Sequence, residues 1–547
     1  MAFSSICNEV PSFAFNQSVQ NPTKTQSFFD LRTPTKFSFL PHVNQRNPMK
    51  TLKTSCRIPR TDIGDPVVFY LHKVKKKKSE KEDTNAIGNQ KFLNLCGFGY
   101  WVQGFRCFPW LALNFHMANN LNVNPSTLQL VQNFGNLPMV AKPLYGILSD
   151  AIFIVGSRRL PYISIGVVLQ VLSWGSMALI LRASEVLPIL ITCVLLGNLG
   201  ASVTEVAKDA LVVEYGQKNK INGLQSYAFM ALAAGGVLGN CLGGFFLLKT
   251  HQPKSMFLIF ASLLSLQLTL SLTTKEKSFG LPHPSNHHES IILNIKKQFS
   301  DLLFAIKDEG IFVSLSWIVG SIAIVPILSG SLFCYQTQIL NLDPSTIGMS
   351  KVIGQLLLLA VTVLYDRHLK TVSMRKLISF VQIVYACSLL LDLVLVKQIN
   401  LKFGIPNDIF VVCLSGMAEI IAQFKILPFQ VLFARFAPKG CEGSLMSFLA
   451  SAICLSSIFS GFLGVGMASI LGITSVDYSR LHVGILIQFM AALVPMFWIG
   501  KIPTLECLDE KEKKLGLSKR RRKYRRVGRV VFNSVFVYRG ERESGKL

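Results

Sequence analysis

The stretch Leu-Asn-Val-Asn-Pro-Ser-Thr at residues 121–127 returns as Leu-Asn-Leu-Asp-Pro-Ser-Thr at residues 340–346, and the two prolines are 219 residues apart. A proline followed by hydroxyl residues favours the start of a helix, because its ring presets φ and a hydroxyl can cap exposed backbone N–H groups. A long apolar segment follows each copy. We therefore expect an internal repeat in which the same helix begins at the same place in each half of the chain.

A second pair of landmarks supports this repeat. Asp150 closes the apolar segment after the first copy, and Asp366 closes the segment after the second copy, 216 residues later. Basic residues follow both acids, with Arg158 and Arg159 in the first half and Arg367 in the second. Two landmarks at nearly one offset indicate that the halves are related.

The composition places the chain in a lipid bilayer. Of its 547 residues, 50% are hydrophobic and 16% are charged, whereas soluble proteins carry about 25% charged residues. A helix needs about 20 mainly apolar residues to cross the hydrocarbon core. Twelve segments meet this requirement, and these predicted spans one to twelve cover residues 92–117, 127–150, 161–182, 187–211, 223–248, 255–273, 311–337, 346–365, 376–396, 408–430, 443–471 and 481–500.

The polar interval 274–310 is a central loop that divides the predicted spans into two groups of six. Residues 92–273 then form the first half and residues 311–500 the second. Two parallel six-span halves related by an axis along the membrane normal are the architecture of the major facilitator superfamily. The expected fold class is therefore an all-α polytopic membrane protein of this superfamily, with twelve transmembrane helices as two six-helix halves.

The distribution of charge predicts the orientation and argues against a nucleic-acid partner. The net charge is +26, but the basic residues concentrate in the tails and in short loops, where Lys and Arg mark the side that is not translocated. We therefore expect the basic segment 61–91, the central loop and the basic tail 501–547 to lie inside. No nucleic acid is expected as a partner.

The N-terminal residues have the composition of a targeting segment. Residues 1–60 contain eight Lys or Arg, only two acidic residues and many Ser and Thr. This is typical of an organellar transit peptide, and the high hydroxyl content favours a plastid over a mitochondrion. An ordinary tail outside the fold is the alternative.

Four motifs carry a resemblance to a known family. They are Tyr100-x-x-Gln103-Gly-Phe-Arg106, Lys142-Pro-Leu-Tyr-Gly with Ser149-Asp150, Gly156-x-Arg158-Arg159-x-x-Tyr162 and Asp209-Ala-Leu-Val-Val-Glu214. From about residue 95 to residue 503 the chain resembles the folate–biopterin transporter family, a branch of the major facilitator superfamily with plastid and cyanobacterial members. The resemblance implies a secondary transporter of folates or pterins in a plastid membrane, with the inner envelope as the expected location.

The chain departs from the family pattern where a substrate or a coupling ion could bind. Residues 118–120 carry no charge, Glu205 stands where the family has Asp, and Lys208 stands where the family is apolar. These departures leave open a different small organic anion as the cargo of the same fold.

Charged residues inside the spans are the candidate substrate-binding or coupling residues, because each costs about 3 kcal/mol to insert. They are Arg106, Glu205, Lys208, Asp209, Glu419 and Lys425. Glu205 and Asp209 are spaced i, i+4 beside Lys208, which suits either a protonation switch that couples transport to protons or a static ion cluster. The guanidinium of Arg106 is a planar fork for a substrate carboxylate, and pairing with Glu205 or Asp209 is the alternative.

Two further groups of residues are given structural roles. The superfamily pattern implies a conformational latch between the halves, formed by Lys142, Asp150, Arg158, Arg159, Asp366 and Arg367. In span five, Gly235, Gly239 and Gly243 recur every four residues. Small residues at this spacing let helices approach closely, so we expect a packing face there.

Other functional classes have little support in the sequence. It contains no His-Glu-x-x-His, no Gly-x-Ser-x-Gly and no phosphate-binding loop with its Lys, so a membrane-embedded enzyme is a remote alternative and no catalytic residue is named. The twelve cysteines include no Cys-x-x-Cys pair, and neither a metal nor a cofactor is expected. The expected partners are a small-molecule substrate, namely a folate or pterin-like anion, and the lipid bilayer; the oligomeric state is left open.

Overall fold

The computed structural model describes most of the two predicted halves. The described residues are 90–154, 157–180, 186–219, 224–250, 252–274, 296, 299–300, 302–304, 306–369, 372–415, 417–436 and 442–502. The transit peptide predicted at 1–60 lies outside the described residues. So do nearly all of segment 61–91, much of the central loop 274–310 and all but the first two residues of the tail 501–547.

Nine helices in the described part of the chain are long and apolar enough to cross a membrane. They are Leu160–Leu179, Leu187–Gly216, Tyr227–Thr250, Pro253–Thr273, Pro344–Tyr365, Met374–Val396, Asn407–Gln430, Leu445–Ile470 and Leu481–Lys501. Their positions match predicted spans three to six and eight to twelve. The fold is all-α as expected. Within the described ranges, β-type backbone pairing is limited to one isolated bridge between Ile154 and Ser157.

Spans one, two and seven are interrupted helices, which the sequence analysis treated as continuous. Span one consists of 90–105, Cys107–Phe115 and the π-helix His116–Asn120. Span two consists of Pro125–Gly135, Leu137–Val140 and Lys142–Ala151. Span seven consists of Glu309–Ala323, Ser329–Cys334 and the π-helix Tyr335–Ile339. Proline explains these breaks, because it lacks the N–H that an α-helix needs and its ring clashes with the preceding turn. Pro109, Pro138, Pro143 and Pro326 lie in or beside them. The total of twelve membrane crossings therefore remains a prediction.

The helices of spans four and ten end beyond the predicted spans, whereas the helix of span three ends before its predicted end. Full helix bounds are Leu187–Asn219 for span four, Leu224–Thr250 for span five, Pro344–Arg367 for span eight, Met417–Phe436 after the π-helix Val411–Ser415 for span ten, and Glu442–Ile470 for span eleven. Span twelve is Leu481–Leu493 followed by the 3₁₀-helix Val494–Lys501. Helices are not obliged to end where the apolar pattern ends, so these ends could not be read from hydropathy.

The internal repeat predicted from the sequence is present in the backbone. The two π-helices, which begin at His116 and Tyr335, are 219 residues apart, the same offset as the two prolines. Each is followed by an asparagine with positive φ, 47° at Asn122 and 50° at Asn341, a conformation that Asn tolerates better than most side chains. We call the end of the molecule that holds both turns the π-helix end.

Each half has a buried apolar core, and the outer surface is apolar as well. The first core is formed mainly by spans one to six, around Phe257 and Phe260. The second is formed by spans seven and nine to twelve, where the rings of Trp317 and Phe429 stack 5.5 Å apart. Large apolar side chains are more than half exposed around the bundle, including Leu144, Phe245, Phe380, Phe459 and Met490. Such a surface suits a protein whose sides face lipid.

The halves meet along three pairs of spans. Span five packs against span eight, and span two packs against spans seven and eleven. A methyl group placed on Gly348 of span eight would lie 2.6 Å from the carbonyl oxygen of Asn240 in span five. This close backbone approach of spans five and eight depends on glycine.

Candidate functional site

Five of the charged residues named from the sequence lie together inside the first half. Arg106 of span one, Lys142 of span two and Glu205, Lys208 and Asp209 of span four are all at least 94% buried. We call them the first-half cluster. Helical spacing places the three span-four residues on neighbouring positions of one helix surface, and spans one and two supply the other two charges.

Glu205 is the centre of the cluster. The Lys142 ammonium lies 2.8 Å from Glu205 Oε2, and Arg106 Nη1 lies 3.7 Å from Glu205 Oε1. Arg106 also donates through Nη2 to the side chain of Asn198, which in turn donates to the Gly135 carbonyl. Glu205 therefore connects span four to spans one and two.

The position of Lys142 differs from the role the sequence analysis gave it. The superfamily pattern groups Lys142 with the latch, but the structure places its ammonium on Glu205. The physical reason is that a carboxylate buried in a membrane span needs a counter-charge. Lys208, which follows Glu205 by three residues on the same helix, donates to the Gly99 carbonyl at 2.8 Å and to Gln103 Oε1 at 2.7 Å.

Asp209 and Lys208 face span one. The Tyr100 hydroxyl donates to Asp209 Oδ1 at 2.6 Å, and the Lys208 ammonium lies 4.7 Å from the centroid of the Tyr100 ring. The sequence analysis names Tyr100 as the first residue of a family motif and gives it no role in the site. Its position in the family motif, three residues before Gln103, was the signal that it belongs to the site.

The first-half cluster has an excess of positive charge. It holds three basic and two acidic side chains, so its formal charge is +1 when all are ionised. Arg106 Nε makes no hydrogen bond to any described residue. A guanidinium with an unused donor in a low-dielectric site favours a carboxylate, because charge-assisted hydrogen bonds are stronger there. The cluster can therefore accept an anion.

The two charged residues named in span ten have separate surroundings. Glu419 pairs with Lys351 of span eight, a residue that the sequence analysis did not name although it is a charge inside an apolar span. Lys425 is 99% buried, and its ammonium makes no hydrogen bond within the described part of the chain. It lies 4.9 Å from the centroid of the Tyr385 ring.

Two cavities lie in the second half and at its boundary with the first. A cavity of about 110 Å³ lies within the second half, and its polar lining includes Gln336, Ser350, Lys351, Asp392, Glu419 and Gln488. We call it the second-half cavity. A much smaller polar cavity lies between the halves, lined by Gln132, Asn133 and Asn136 of span two and by residues of spans seven and eleven. The two cavities share Ile327 and Ser329.

An amide stripe on span two was missed in the sequence. Gln129, Gln132, Asn133 and Asn136 recur at i, i+3, i+4 and i+7 and are all buried, so they occupy one helix face. That spacing of four amides within an apolar span was the available signal.

The side chain of Gln129 forms hydrogen bonds with backbone groups at the break in span seven. Its Nε2 donates to the carbonyls of Ile327 at 2.6 Å and Gly461 at 2.8 Å, and its Oε1 accepts from the Gly330 N–H at 3.1 Å. The hydroxyl of Ser460 in span eleven donates to the Val325 carbonyl. Irregular backbone at membrane depth is tolerated only when the protein satisfies its polar groups, so these side chains make the break in span seven possible.

The remaining latch residues are described in part. Arg158 and Arg159 both pair with Glu214, at 3.5 and 2.5 Å, and Arg159 Nη1 donates to Ser149 Oγ at 2.6 Å. These contacts lie within the first half. The side chains of Asp150, Asp366 and Arg367 lie outside the described residues.

The glycines of span five lie against span one. A methyl group on Gly235 would overlap the Trp101 carbonyl oxygen, one on Gly239 would lie 2.6 Å from Cys107 Sγ, and one on Gly243 would lie 3.4 Å from Leu111. Among the described residues, no group of three His, Cys, Asp or Glu side chains could hold a metal ion.

Comparison with known proteins places this geometry in context. The model of the BT1 family matches residues 103–521. The chain is 61% identical over 469 residues to the probable folate-biopterin transporter 8, chloroplastic, of Arabidopsis thaliana, covering 85% of this chain and 86% of that protein. It is 55% identical over 536 residues to the probable folate-biopterin transporter 9, chloroplastic, of the same plant, covering 96% and 99%.

Solved structures share the fold. The crystal structure of a POT family transporter in complex with a thioalcohol-conjugated peptide superposes with a TM-score of 0.55 at 15% identity, covering 75% of this chain and 96% of that one. A similarity at this level of identity concerns the fold alone, and it confirms the expected major facilitator fold.

Proposed function

The chain belongs to the BT1 family, and from that premise we propose that it is a secondary transporter that moves folates or pterins across a plastid membrane. Transport would proceed by alternating access between the two six-span halves, with proton coupling. The protein itself is a multi-pass plastid membrane protein with a small-molecule substrate, and it is a transporter and not an enzyme. The inner envelope as the particular membrane is part of the proposal.

The observation that carries the proposal is the excess positive charge of the first-half cluster around Arg106. Folates end in a glutamate tail, so they present carboxylates to a protein. Arg106 has a free Nε donor and only a 3.7 Å contact with Glu205, so a substrate carboxylate can bind it without displacing the closer Lys142–Glu205 pair. Binding of one anionic group would offset the formal +1 charge of the cluster.

Proton coupling has a physical basis in the same cluster. Two carboxylates, Glu205 and Asp209, lie buried among three cations. When a substrate carboxylate joins them, the number of buried negative groups rises, and protonation of one carboxyl relieves the repulsion between them. Substrate and proton would then bind together and move together.

Alternating access requires contacts between the halves that can break. At the π-helix end, Gln338 of the second half donates to the Ala118 carbonyl of the first half at 2.8 Å. Gln129 joins span two to spans seven and eleven nearby. These hydrogen bonds are few and polar, so water can replace them when that end opens. We propose that Asp150, Arg158, Arg159, Asp366 and Arg367 act as the latch in the inside loops.

Uptake into vesicles tests the proposal. Purified full-length protein is reconstituted, and uptake of radiolabelled folate and biopterin is measured with and without an inward proton gradient. We expect uptake above protein-free vesicles and a faster rate with the gradient. Absence of folate and pterin uptake, with insertion confirmed by protease protection, would overturn the proposal.

The variant Arg106→Lys sharpens the test. Lysine keeps the charge but loses the planar fork that binds a carboxylate through two bonds. We expect the KM for folate to rise by roughly tenfold, the size of about 1.4 kcal/mol, while uptake of biopterin, which has no carboxylate, changes little. Arg480→Lys, at an exposed arginine before the first residue of span twelve, is the matched control.

A different small organic anion is the second candidate cargo. The uncharged segment 118–120 and the buried Lys208 favour it, because both depart in charge from the family pattern. A ligand screen that follows the melting temperature separates the two. A rise with another anion and no rise with folates or pterins would favour the second cargo.

A further inference from the structure

Two buried amides of span two have hydrogen-bonding groups that the described part of the chain does not use. Asn133 and Asn136 are only 9% and 4% exposed, and their spacing of i, i+3 places them on one face of span two. Nδ2 of Asn133, a donor, and Oδ1 of Asn136, an acceptor, make no hydrogen bond to any described residue. Because a buried polar group without a partner is costly, this amide pair indicates a site for a ligand.

Both amides line the small cavity between the halves, opposite residues of spans seven and eleven. The volume of this cavity is about 10 Å³, so in this closed arrangement it holds at most about one water molecule. A larger solute can enter only when span two separates from spans seven and eleven. Span eleven leaves room for the Asn133 side chain at Gly461, where a methyl group would overlap the amide. The amide pair is therefore a site that becomes accessible when the halves separate.

The amide pair lies at the depth where a carrier of this architecture binds its solute. Asn136 follows Pro125, the first residue of span two, by eleven residues, which at the rise of an α-helix is about 16 Å. That is about half of the 30 Å hydrocarbon core. The break of span two at Asn136 also meets the break of span seven, since Ile327 and Ser329 line the same cavity. Transporters built from two related halves bind substrate near the bilayer midplane beside such interrupted helices.

The lining of the small cavity favours an uncharged planar group. The described residues that line it are all uncharged, and Ile327 and Ile458 supply apolar walls from spans seven and eleven. An amide group carries both donors and an acceptor, so two amides one turn apart can pair with an edge that presents one donor beside one acceptor. Apolar walls suit the faces of a flat ring. This combination matches the edge of a cyclic amide, in which a ring N–H lies next to a carbonyl.

Span two connects the small cavity to the first-half cluster. The Gly135 carbonyl accepts a hydrogen bond from Asn198, whose side chain accepts one from Arg106. Gly135 and Asn136 are consecutive, so one turn of span two contacts both the first-half cluster and the cavity. A solute with an anionic group and an uncharged ring can therefore place one at each site.

We propose that Asn133 and Asn136 bind the cyclic-amide edge of the substrate ring, which in a pterin consists of the N3–H and the C4 carbonyl. Asn136 accepts from the ring N–H and Asn133 donates to the ring carbonyl, once span two has separated from spans seven and eleven. The anionic tail of a folate binds at Arg106 in the first-half cluster. This inference rests on the proposed function and deepens it by assigning the residues that recognise the uncharged end of the substrate.

Binding of three probes to the purified full-length protein, measured by titration calorimetry, tests the inference. The probes are pterin, 3-methylpterin, in which a methyl group replaces the N3–H, and p-aminobenzoylglutamate, which is the anionic part of folate alone. We expect the wild-type protein to bind pterin at least about tenfold more tightly than 3-methylpterin, because rotation of an amide cannot restore the missing donor. Equal affinities for pterin and 3-methylpterin would overturn the inference.

The variant Asn136→Leu links that discrimination to the amide pair. Leucine has nearly the same shape but no polar group, so we expect pterin affinity to fall by about tenfold or more and p-aminobenzoylglutamate affinity to stay the same. The melting temperature without ligand should be no lower than that of the wild type, because Oδ1 of Asn136 makes no hydrogen bond to a described residue.

Gln170→Leu is the matched control with the opposite expectation. The buried Gln170 amide of span three donates to the Gly166 carbonyl and to Thr204 Oγ1, both at 3.3 Å. Its loss should lower the melting temperature and leave pterin affinity unchanged. An Asn136→Leu protein that binds pterin as tightly as wild type, or one that only loses stability as Gln170→Leu does, would overturn the inference.

The outcomes separate the inference from the function beneath it. If folate and p-aminobenzoylglutamate bind but Asn136→Leu leaves pterin affinity unchanged, the assignment of the amide pair is wrong and the folate transporter stands. If neither folate nor any of the three probes binds the wild-type protein, the proposed function itself fails. Should Asn136→Leu fail to fold, Asn133→Leu removes the other amide of the pair and is judged by the same expected results.

Discussion

Glu205 shows how a single buried carboxylate can organise three helices. It draws Lys142 from span two and Arg106 from span one into the interior of the first half. In a low-dielectric interior the attraction between such charges is strong, but so is the cost of taking them out of water. The group is therefore stable only as a set, and loss of one member leaves the others uncompensated.

The variant Glu205→Gln should destabilise the protein strongly. It leaves two buried cations without their carboxylate, and breaking a buried ion pair in this way costs about 3–5 kcal/mol. Thermal unfolding of the detergent-solubilised protein measures the effect. Glu214→Gln is the control, because Glu214 also pairs with two basic side chains but is 27% exposed, and we expect a smaller shift of the melting temperature. Equal shifts in the two variants would contradict the central role of Glu205.

At the residue scale, the sequence identified the charges but not all of their partners. Membrane insertion is costly for any charge, so Arg106, Glu205, Lys208 and Asp209 were conspicuous in apolar segments. The assignment of Lys142 was different, because it is the first residue of a family motif that continues to Asp150, and its contact with span four depends on how the helices pack. Tyr100 was missed as a partner of Asp209 for the same reason.

Span five is an element with two glycine faces. Gly235 and Gly239 lie against the backbone of span one, whereas Gly244 and the nearby Asn240 approach span eight. The sequence predicted one stripe of small residues, because three glycines at four-residue spacing form an obvious pattern. The second face has the larger residue Asn240 one turn before Gly244, so its sequence lacks the repeated small residues that indicate a packing stripe.

Substitution of Gly235 should separate span five from span one. In Gly235→Ala the added methyl would overlap the Trp101 carbonyl oxygen, and because a backbone atom cannot rotate away, we expect a loss of about 1–3 kcal/mol. The melting temperature of the purified protein measures this loss. Gly175→Ala in span three is the matched control, since a methyl group there meets nothing within 4 Å. A Gly235→Ala protein as stable as Gly175→Ala would show that the helices can move apart without cost.

At the scale of the whole molecule, Gln129 connects the halves at the break in span seven. Its three hydrogen bonds go to groups of spans seven and eleven. Gln132, one turn further along span two, instead donates to Asn114 of its own half at 2.8 Å. The two glutamines therefore differ in whether their hydrogen bonds survive a movement of one half against the other.

The variant Gln129→Leu should favour opening of the π-helix end. It leaves the Ile327 and Gly461 carbonyls and the Gly330 N–H without this partner, at about 1–3 kcal/mol for each buried group, and water reaches these groups when that end opens. Cys334 of span seven is fully buried, so its labelling by a maleimide, followed by peptide mass spectrometry, reports the open state. We expect labelling to be faster by roughly tenfold or more.

Gln132→Leu is the control for that experiment. It removes an amide of the same size from the same helix face but breaks a bond within one half. We expect the rate of Cys334 labelling to stay near the wild-type value. If both variants raise the rate equally, general loosening of the bundle explains the result and the role of Gln129 is wrong.

The sequence by itself determined the class of protein, the repeat and the family. Apolar length, loop charge and the paired Pro-Ser-Thr stretches are local properties of the sequence. At the end of the first span of each half, the backbone forms the same π-helix, and an asparagine with positive φ follows it. Only the tertiary structure decided which charges meet, that span two carries an amide face toward span seven, and that Asp392 and Lys351 line a cavity. The physical reason is that hydropathy reports the cost of burying a side chain, whereas its partner depends on how helices far apart in sequence rotate and cross.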